Sequence, residues 1–188
     1  MNLLHRWICR SAYWKKTVTE QIVPWVLQDV DLGADVLEIG PGPGLTTDLL
    51  RDRCAHLTAL EVDPKMAESL RHRLGDGGVS VVHGDGTAMP FPDASFSGAV
   101  AFTMLHHVPS VDLQDRLLRE VARVLKPGAV FAGTDSLAST KLRIVHVGDI
   151  YVPVNPERLP ERLRSAGFRE IQVDRGDTRF RFRARLAN

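Results

Sequence analysis

Three things are scarce in this sequence: long apolar runs, cysteine, and an excess of charge of either sign. None of its apolar runs approaches the roughly 18 residues that a membrane-spanning helix needs. The first ten residues, MNLLHRWICR, lack the continuous apolar segment of a secretory signal peptide. We therefore expect a chain that is neither exported nor embedded in a membrane, and we predict a cytoplasmic location.

The 188-residue chain has only two cysteines, Cys9 and Cys54. They show neither metal-ligand spacing nor the even-numbered framework of small disulfide-rich domains, so we expect reduced, buried thiols. The sequence contains no internal repeat and no linker rich in proline, glycine or serine. With 44% hydrophobic and 25% charged residues, it predicts a single domain over residues 1–188.

The formal net charge is only +1. This argues against a polyanion as the main partner, because proteins that bind phosphate backbones usually carry a strongly basic face. One local exception is a row of arginines that alternate with apolar residues near the end of the chain: Arg179, Arg181, Arg183 and Arg185. A period of two places them on one face of a strand. They could bind acidic ligands, but we favour a solvated face, the commoner use of such a run.

Short apolar runs bounded by turn residues predict buried β-strands at 36–39, 57–62, 79–82, 98–102 and 129–132. Between these runs, leucine, methionine and valine recur with helical spacing. Strands that alternate with helices in this way indicate a parallel, doubly wound α/β sheet.

Several residues mark where helices begin and stop. Asp63 followed by Pro64 is typical of a helix N-terminus, and the segment 126–128 is expected to end a helix. The segment 13–30 has helical character but contains Pro24, so we expect a break or restart there.

The C-terminal part has one clear region and one ambiguous region. The segment 157–166 predicts a helix stopped by Gly167, followed by two strands that form a hairpin around 175–177. The segment 136–155 is too long for a plain connection. A hairpin and a short helix from Thr140 are both compatible with its sequence.

The strongest functional signal is VLEIGPGPGLTT at 36–47, where an apolar strand ends in an acid and three alternate glycines precede a helix. Without a Cβ, Gly40, Gly42 and Gly44 allow a ligand to lie against the backbone at the carboxyl end of the strand. A dinucleotide fingerprint needs glycine at the sixth position, where this sequence has Leu45, so an NAD site is disfavoured. A tight turn without a ligand is the alternative.

Two further acids follow neighbouring strands. Glu61 ends the second strand, where a carboxylate can accept hydrogen bonds from both hydroxyls of a ribose. Asp85 lies between Gly84 and Gly86 after the third strand, where a carboxylate could accept from an adenine amino group. Each acid alone is more often a cap or turn residue, but three such strand ends in succession favour an adenosine-containing ligand.

Five motifs together resemble the class I S-adenosylmethionine-dependent methyltransferases, in the small-molecule branch called type 11: VLEIGPGPGLTT, LTALEVDPKM, VVHGDGTAMPFPDASF, AVAFTMLHHV and LLREVARVLKPGAVF. The resemblance covers about 35–134 motif by motif. It implies a Rossmann-like, seven-stranded sheet in the order 3-2-1-4-5-7-6 with the last strand antiparallel. It also implies S-adenosylmethionine as cofactor and S-adenosylhomocysteine as product.

The same resemblance assigns residues to the cofactor. Glu38 and the three glycines would surround its methionine part, and Glu61 would hold its ribose. The adenine would be contacted by Val62, Asp85, Gly86 and Thr87. A backbone carbonyl would bind the methionine amino group, from Phe102 or Thr103.

Within the single domain we expect a helical cap over 1–34, a cofactor-binding core over 35–135, and an acceptor-side segment with the terminal hairpin over 136–188. The first two motifs also resemble the ribosomal-RNA adenine dimethylases. Those enzymes carry a proline and an aromatic residue after the fourth strand, whereas this chain has FTMLHH at 102–107. We therefore expect a small-molecule acceptor and no nucleic acid.

The sulfonium of the cofactor makes its methyl group electrophilic, so the protein mainly aligns the acceptor and excludes water. A hydroxyl or acidic carbon would still need a base, and His106 or His107 follows the fourth strand at the right place. A histidine with only a structural role is the alternative. Tyr151 is a further candidate catalytic residue, and both it and His146 are candidates for the acceptor pocket. No cluster with metal-ligand spacing appears, so we expect no metal ion.

Two other functions stay open. The chain could be a non-catalytic module that binds S-adenosylmethionine or a partner, because its C-terminal region is short for an acceptor-binding subdomain. It could also be an NAD-dependent oxidoreductase. We favour methyl transfer to a small molecule.

Overall fold

The computed structural model describes residues 11–75 and 77–188, so Cys9 and the first ten residues of the expected N-terminal cap lie outside the described part. The strands are β1 (Asp35–Ile39), β2 (His56–Glu61), β3 (Val79–His83), β4 (Phe96–Phe102), β5 (Leu125–Ser136), β6 (Phe168–Arg175) and β7 (Arg179–Leu186). They form a seven-stranded sheet in the order β3-β2-β1-β4-β5-β7-β6. Strands β1 to β5 pair in parallel, whereas β7 is antiparallel to β5 and β6. The predicted fold and strand order are confirmed.

Helices connect the strands. They are α1 (Ala12–Thr17), a π-helical turn (Val18–Ile22), α2 (Val23–Val26), α3 (Leu45–Leu50), α4 (Pro64–Leu74), a 3₁₀ turn (Leu105–His107), α5 (Val111–Val124), α6 (Thr140–Val145) and α7 (Leu159–Ser165). None of the helices in the described ranges combines the length and the hydropathy that a membrane-crossing segment requires.

Of the two predicted proline features of the helices, the one at Pro64 is present, and the one at Pro24 takes the form of a changed hydrogen-bond pattern without an interruption of the helix. The Asp63 side chain accepts hydrogen bonds from the backbone N–H groups of Lys65 and Met66, so it caps α4 with Pro64 at the first helical position. The N-terminal helical segment changes its hydrogen-bond pattern one turn before Pro24, in the π-helical turn. Because proline has no N–H, the helix widens ahead of it instead of ending.

One detail of the structure differs from the sequence-based expectation, and a second decides between two alternatives that the sequence left open. Helix α5 ends at Val124, and the segment 126–128 already belongs to the irregular start of β5, where the pairing with β4 shifts register. The ambiguous segment 136–155 contains helix α6, capped by the Ser139 side chain. The helical alternative is therefore correct there, and the hairpin is wrong.

Both faces of the sheet are covered by apolar residues. In β4, Ala99 and Ala101 belong to the core that includes α5 and α7. Val100 and Phe102 belong to the core formed with the N-terminal helices and α3. Because successive side chains of a strand point to opposite faces, this central strand has no solvated face. The two-sided covering leaves the carboxyl ends of the strands as the place where a ligand can enter.

Three of the four alternating arginines of β7 bond to side chains of the neighbouring strand β6. The pairs are Arg181–Asp174, Arg183–Gln172 and Arg185–Glu170. These three form a partly solvated row at the rim of the sheet, as we favoured from the sequence. Arg179 differs, because its side chain lines the cleft described next.

Candidate active site

A large cleft lies at the carboxyl ends of the parallel strands. Its volume is about 850 Å³, which is within the range of sites that hold a drug-sized ligand. The turn after β1, the end of β2, the segment after β4 and the helix α6 all contribute to its wall. Representative wall residues are Gly40, Glu61, Phe102, His106, Ser136 and Arg179.

The glycine-rich turn after β1 requires glycine for its backbone conformation. Gly40, Gly42 and Gly44 have φ angles of +65°, +55° and +83°, in the left-handed region that other residues rarely adopt. A Cβ on Gly40 would lie 3.0 Å from Met104, and one on Gly44 would overlap Leu70 and Arg73. A Cβ on Gly42 would meet only the methyl group of Met66, at 3.6 Å. Gly42 therefore presents open backbone to the cleft.

Glu61 is buried at the end of β2 but lines the cleft. One of its carboxylate oxygens accepts a hydrogen bond from the Gly42 N–H, and the other accepts from the Asp63 N–H, both at 3.0 Å. A carboxylate has about four acceptor positions, so this arrangement uses two of them. Both oxygens keep capacity for the hydroxyl groups of a ligand.

Glu38 takes a different position from the one that its strand end suggested. Its side chain is 1% exposed and lies beneath α3, where it accepts hydrogen bonds from the hydroxyls of Thr46 and Thr47. Burial raises the pKa of Glu38 to about 7, against the lowering effect of the two hydroxyl donors. Glu38 is absent from the cleft wall, whereas Thr46 is part of it. A contact of Glu38 with the cofactor stays a prediction.

Of the four residues predicted to contact the adenine, one lines the cleft and three do not. Val62 is 62% exposed and lines the cleft. Asp85 is exposed and accepts a hydrogen bond from the Thr87 N–H at 2.8 Å. Asp85, Gly86 and Thr87 do not contribute to the cleft wall. Their contacts with the adenine stay predictions.

Phe102 and Thr103 both line the cleft at the end of β4. Thr103 has a φ of +51°, an unusual value for a β-branched residue. Its N–H donates to the Thr134 carbonyl at 2.8 Å, which holds this turn against β5. A strained backbone at a cleft is a recurrent feature of functional sites.

His106 is buried against an equally buried acid. Its Nδ1 atom lies 2.6 Å from Oδ1 of Asp135, and its backbone N–H donates to the other carboxylate oxygen at 3.1 Å. Asp135 is fully buried and also accepts from the Ser136 N–H. A carboxylate facing Nδ1 places the proton on that nitrogen, so the lone pair of the neutral ring is on Nε2.

Aromatic and imidazole rings surround His106. The rings of His107, His146 and Tyr151 have centroids 4.2, 5.1 and 5.7 Å from that of His106. His146 and Tyr151 stack on each other at 4.7 Å, and burial raises the pKa of the Tyr151 phenol. The fold thus brings together all four residues that the sequence proposed for the acceptor side.

The three histidines are also the one described group that could approach a metal site. One ring nitrogen from each of His106, His107 and His146 lies within 4.8 Å of the other two. In a tetrahedral zinc site, nitrogens at the usual bond length are about 3.4 Å apart, so ion binding would require closer approach. Their spacing along the chain does not predict this cluster, since His146 lies on a different element.

Three residues of this site carried little signal in the sequence. Asp135 is an acid near the end of β5, and its partner His106 belongs to a distant segment of the chain. Gln114 is buried on α5 and donates to the carbonyls of Leu105 and Val152. Arg179 was grouped with the arginine row, because a period of two cannot tell which member reaches the cleft.

Comparisons with known proteins agree with this geometry. A family model for a methyltransferase domain matches residues 37–133, slightly more than half of the 188-residue chain. A solved S-adenosylmethionine-dependent methyltransferase structure from Aquifex aeolicus superposes with a TM-score of 0.71 and 21% identity, covering 91% of this chain and 93% of that one. At this identity the structural likeness shows the fold alone.

The chain is 34% identical over 144 residues to a probable S-adenosylmethionine-dependent methyltransferase of Mycolicibacterium smegmatis, covering 72% of this chain and 52% of the relative. A fatty-acid O-methyltransferase of the same organism is 36% identical over 106 residues, with coverages of 55% and 38%. An rRNA adenine N-6-methyltransferase of Saccharopolyspora erythraea is 46% identical over 70 residues, with coverages of 36% and 18%. This chain thus spans about half the length, or less, of these curated relatives. The family match and the confirmed strand order together show that the chain belongs to the class I S-adenosylmethionine-dependent methyltransferases, in their type 11 methyltransferase-domain family.

Proposed function

We propose that this protein transfers the methyl group of S-adenosylmethionine to a small molecule. The observation that carries the proposal is that one cleft holds the open backbone of Gly42, the carboxylate of Glu61 and the pair His106 and His107. The first two suit the cofactor, and the histidines suit the acceptor. A volume of about 850 Å³ gives space for both ligands at once.

The residues on the cofactor side fit an adenosyl amino acid. The space beside Gly42 would be filled by any larger side chain, so it is available to a ligand that lies against the backbone. The carboxylate of Glu61 has acceptor capacity left for two ribose hydroxyls. The exposed Val62 offers an apolar surface beside it for the adenine ring.

The residues on the acceptor side fit a proton transfer. S-adenosylmethionine, when bound, supplies a methyl group that its sulfonium makes electrophilic. With the Nδ1–H of His106 directed at Asp135, the Nε2 lone pair would accept the proton of an acceptor hydroxyl or acidic carbon. Asp135 would stabilise the imidazolium that results. His107 and His146 would line the acceptor, and Tyr151, which is not part of the cleft wall, would support His146 by stacking on it.

A small acceptor is favoured over a nucleic acid. The net charge of +1 argues against a phosphate backbone as the main partner. The relative named for rRNA methylation matches over only 70 residues, whereas the one named for fatty acids matches over 106. A cytoplasmic location also remains part of the proposal, supported by Cys54, which forms no disulfide within residues 11–75 and 77–188.

The proposal is tested first on the cofactor. Gly42→Leu places a side chain in the cleft, and Gly75→Leu is its matched control, since the φ of Gly75 is +54° against +55° and nothing lies within 4 Å of its Cβ position. Both variants place a side chain on a backbone with positive φ, but only the first blocks the cleft. Calorimetry with S-adenosylhomocysteine should show binding to the wild type and to Gly75→Leu, and none to Gly42→Leu.

The second test concerns transfer. The wild-type protein is incubated with methyl-labelled S-adenosylmethionine and a library of fatty acids, phenols and quinols, and methylated products are identified by mass spectrometry. A labelled small molecule supports the proposal. Binding of cofactor without any product from this library, or label found only in added RNA, would contradict it and leave the non-catalytic module or a nucleic-acid acceptor.

A further inference from the structure

Arg179 stands apart from the other arginines of β7. Arg181, Arg183 and Arg185 each bond to a side chain of β6. Arg179 begins the strand, opposite Ser136 of β5, and its side chain lines the cleft. The guanidinium lies 5.7 Å from the ring centroid of Trp14, a distance at which a cation and an indole attract each other.

One nitrogen of the Arg179 guanidinium lacks a hydrogen-bond acceptor among the described residues. Its Nη1 atom is buried and has no hydrogen-bond partner within the described ranges. Burial lowers the pKa of Arg179, and the charge of Asp135 opposes that effect. The oxygens of Asp135, however, already accept from His106 and the Ser136 N–H. A partly buried cation without a bonded acid is costly, and such groups are usually paired.

The position of Arg179 separates it from the cofactor side. Strands β4 and β5 lie between β1, which carries the glycine turn, and β7. With neighbouring strands about 4.8 Å apart, Arg179 starts roughly 14 Å across the sheet from that turn. His106 follows β4 and contacts Asp135 at the end of β5, the strand that pairs with β7. Arg179 therefore faces the part of the cleft that we assign to the acceptor.

From these observations we propose that Arg179 binds an anionic group of the methyl acceptor, a carboxylate or a phosphate. The planar guanidinium offers two parallel N–H groups to such an oxyanion. Trp14 beside it, and Ile22 and Leu142 elsewhere in the wall of the same cleft, suit the hydrophobic body of the same molecule. The acceptor is then an amphipathic acid. This inference rests on the proposed function only in identifying the ligand as the acceptor.

Binding of matched probes tests the proposal without knowledge of the acceptor. The probes are decanoate, decyl phosphate and the uncharged decanamide, titrated by calorimetry into the full chain saturated with S-adenosylhomocysteine. The wild type should bind one of the two anions at least ~10-fold more tightly than the amide. Arg179→Gln should lose that preference, and Arg183→Gln, which removes an arginine of the same row, should keep it. Which anion is preferred distinguishes a carboxylic acid from a phosphate ester.

Two outcomes would overturn the proposal. One is equal binding of anion and amide by the wild type. The other is loss of S-adenosylhomocysteine affinity in Arg179→Gln with the anion preference intact, which would assign the arginine to the carboxylate of the cofactor. If S-adenosylhomocysteine does not bind at all, the proposed function fails, whereas the anion preference can still be measured in the ligand-free protein.

A second variant separates this role from a structural one. Arg179→Met removes a buried, unpaired N–H and keeps the apolar stem, so its melting temperature should equal or exceed that of the wild type. The anion preference should disappear in the same protein. A lower melting temperature together with an intact preference would mean that the arginine serves the fold.

Discussion

Nδ1 of His106 lies 2.6 Å from Oδ1 of Asp135, an acid with no exposed surface at the end of the neighbouring strand. The two residues are far apart in the sequence and meet only because β4 and β5 pair in parallel. The contact orients the imidazole and assigns its Nδ1 proton. In that tautomer the lone pair of the neutral ring is on Nε2, the atom that we propose as the base.

Asp135→Asn should abolish this orientation. The two oxygens of Asp135 face the backbone N–H and the ring Nδ1 of His106, but asparagine has only one oxygen. If this oxygen keeps the backbone N–H, the NH₂ group faces Nδ1 and favours the tautomer with the proton on Nε2. We expect the rate of methyl transfer to fall by ~10²- to 10⁴-fold, with S-adenosylhomocysteine affinity unchanged. The ¹⁵N chemical shifts of the His106 ring report the tautomer directly.

Asp174→Asn is the control, since Asp174 pairs with Arg181 at the rim of the sheet. It should leave both the rate and the ¹⁵N shifts of His106 as in the wild type. An unchanged rate in Asp135→Asn would exclude His106 as the base.

The fold was predictable because its determinants are local. Short apolar runs, the glycines of the turn at 40–44 and the cap Asp63–Pro64 each specify a strand, a turn or a helix start from a few neighbouring residues. The π-helical turn before Pro24 was not predictable, because a proline indicates that the helix is disturbed but not which hydrogen-bond pattern results.

The site was predictable only where a residue's role follows from its own strand end. Glu61 could be assigned to the cleft in this way. Glu38 has the same sequence signal, yet its carboxylate turns beneath α3 because Thr46 and Thr47 supply two donors there. Asp135 depends on a contact with a distant segment, which no local pattern specifies.

Glu61→Gln should weaken cofactor binding with little effect on the fold. The carboxylate accepts from the N–H groups of Gly42 and Asp63 with its two oxygens. Glutamine has one acceptor oxygen, so its NH₂ group would face one of these N–H donors. It would also offer the ribose hydroxyls a donor in place of an acceptor. We expect the dissociation constant for S-adenosylhomocysteine to rise ~10- to 100-fold, measured by calorimetry.

Glu68→Gln provides the comparison, because Glu68 is exposed on α4 and pairs with Arg71. Its affinity for S-adenosylhomocysteine should equal that of the wild type. A wild-type affinity in Glu61→Gln as well would remove Glu61 from the cofactor site.

Gln114→Leu should loosen the acceptor side of the cleft. The buried amide of Gln114 donates to the carbonyls of Leu105 and Val152 and accepts from Arg162. Leucine leaves these groups unsatisfied, at a cost of about 1–3 kcal/mol in the free energy of unfolding. Urea denaturation measures that cost, and Gln28→Leu, at an exposed position, should show no comparable loss.

The rate of methyl transfer distinguishes a positioning role of Gln114 from a purely structural one. Leu105 begins the 3₁₀ turn that carries His106 and His107, so displacement of this turn should lower kcat more than the affinity for S-adenosylhomocysteine. A stability loss with unchanged kcat would restrict Gln114 to the fold.

Glu38 should make stability depend on pH in a direction opposite to that of most carboxylates. Its pKa is raised from 4.5 to about 7, chiefly by burial. Between these values the folded state holds a proton that the unfolded state has released. The stabilising effect is therefore complete below about pH 4.5 and is lost as the pH rises through about 7. A difference of this size corresponds to about 3 kcal/mol.

Glu38→Gln cannot ionise at this position, so its free energy of unfolding should lack the decline between about pH 4.5 and 7 that we expect for the wild type. Urea denaturation at several pH values in this window measures both curves, and Glu161→Gln, at an exposed position of α7, should follow the wild type. Thr47→Val removes a hydroxyl that stabilises the carboxylate at 2.6 Å, so it should move the decline to higher pH. If the Thr47 hydroxyl served only packing, its removal would not move the pH midpoint of the decline in stability. A shifted midpoint therefore identifies Glu38 as the titrating group. A decline that persists unchanged in Glu38→Gln would assign the titration to another residue.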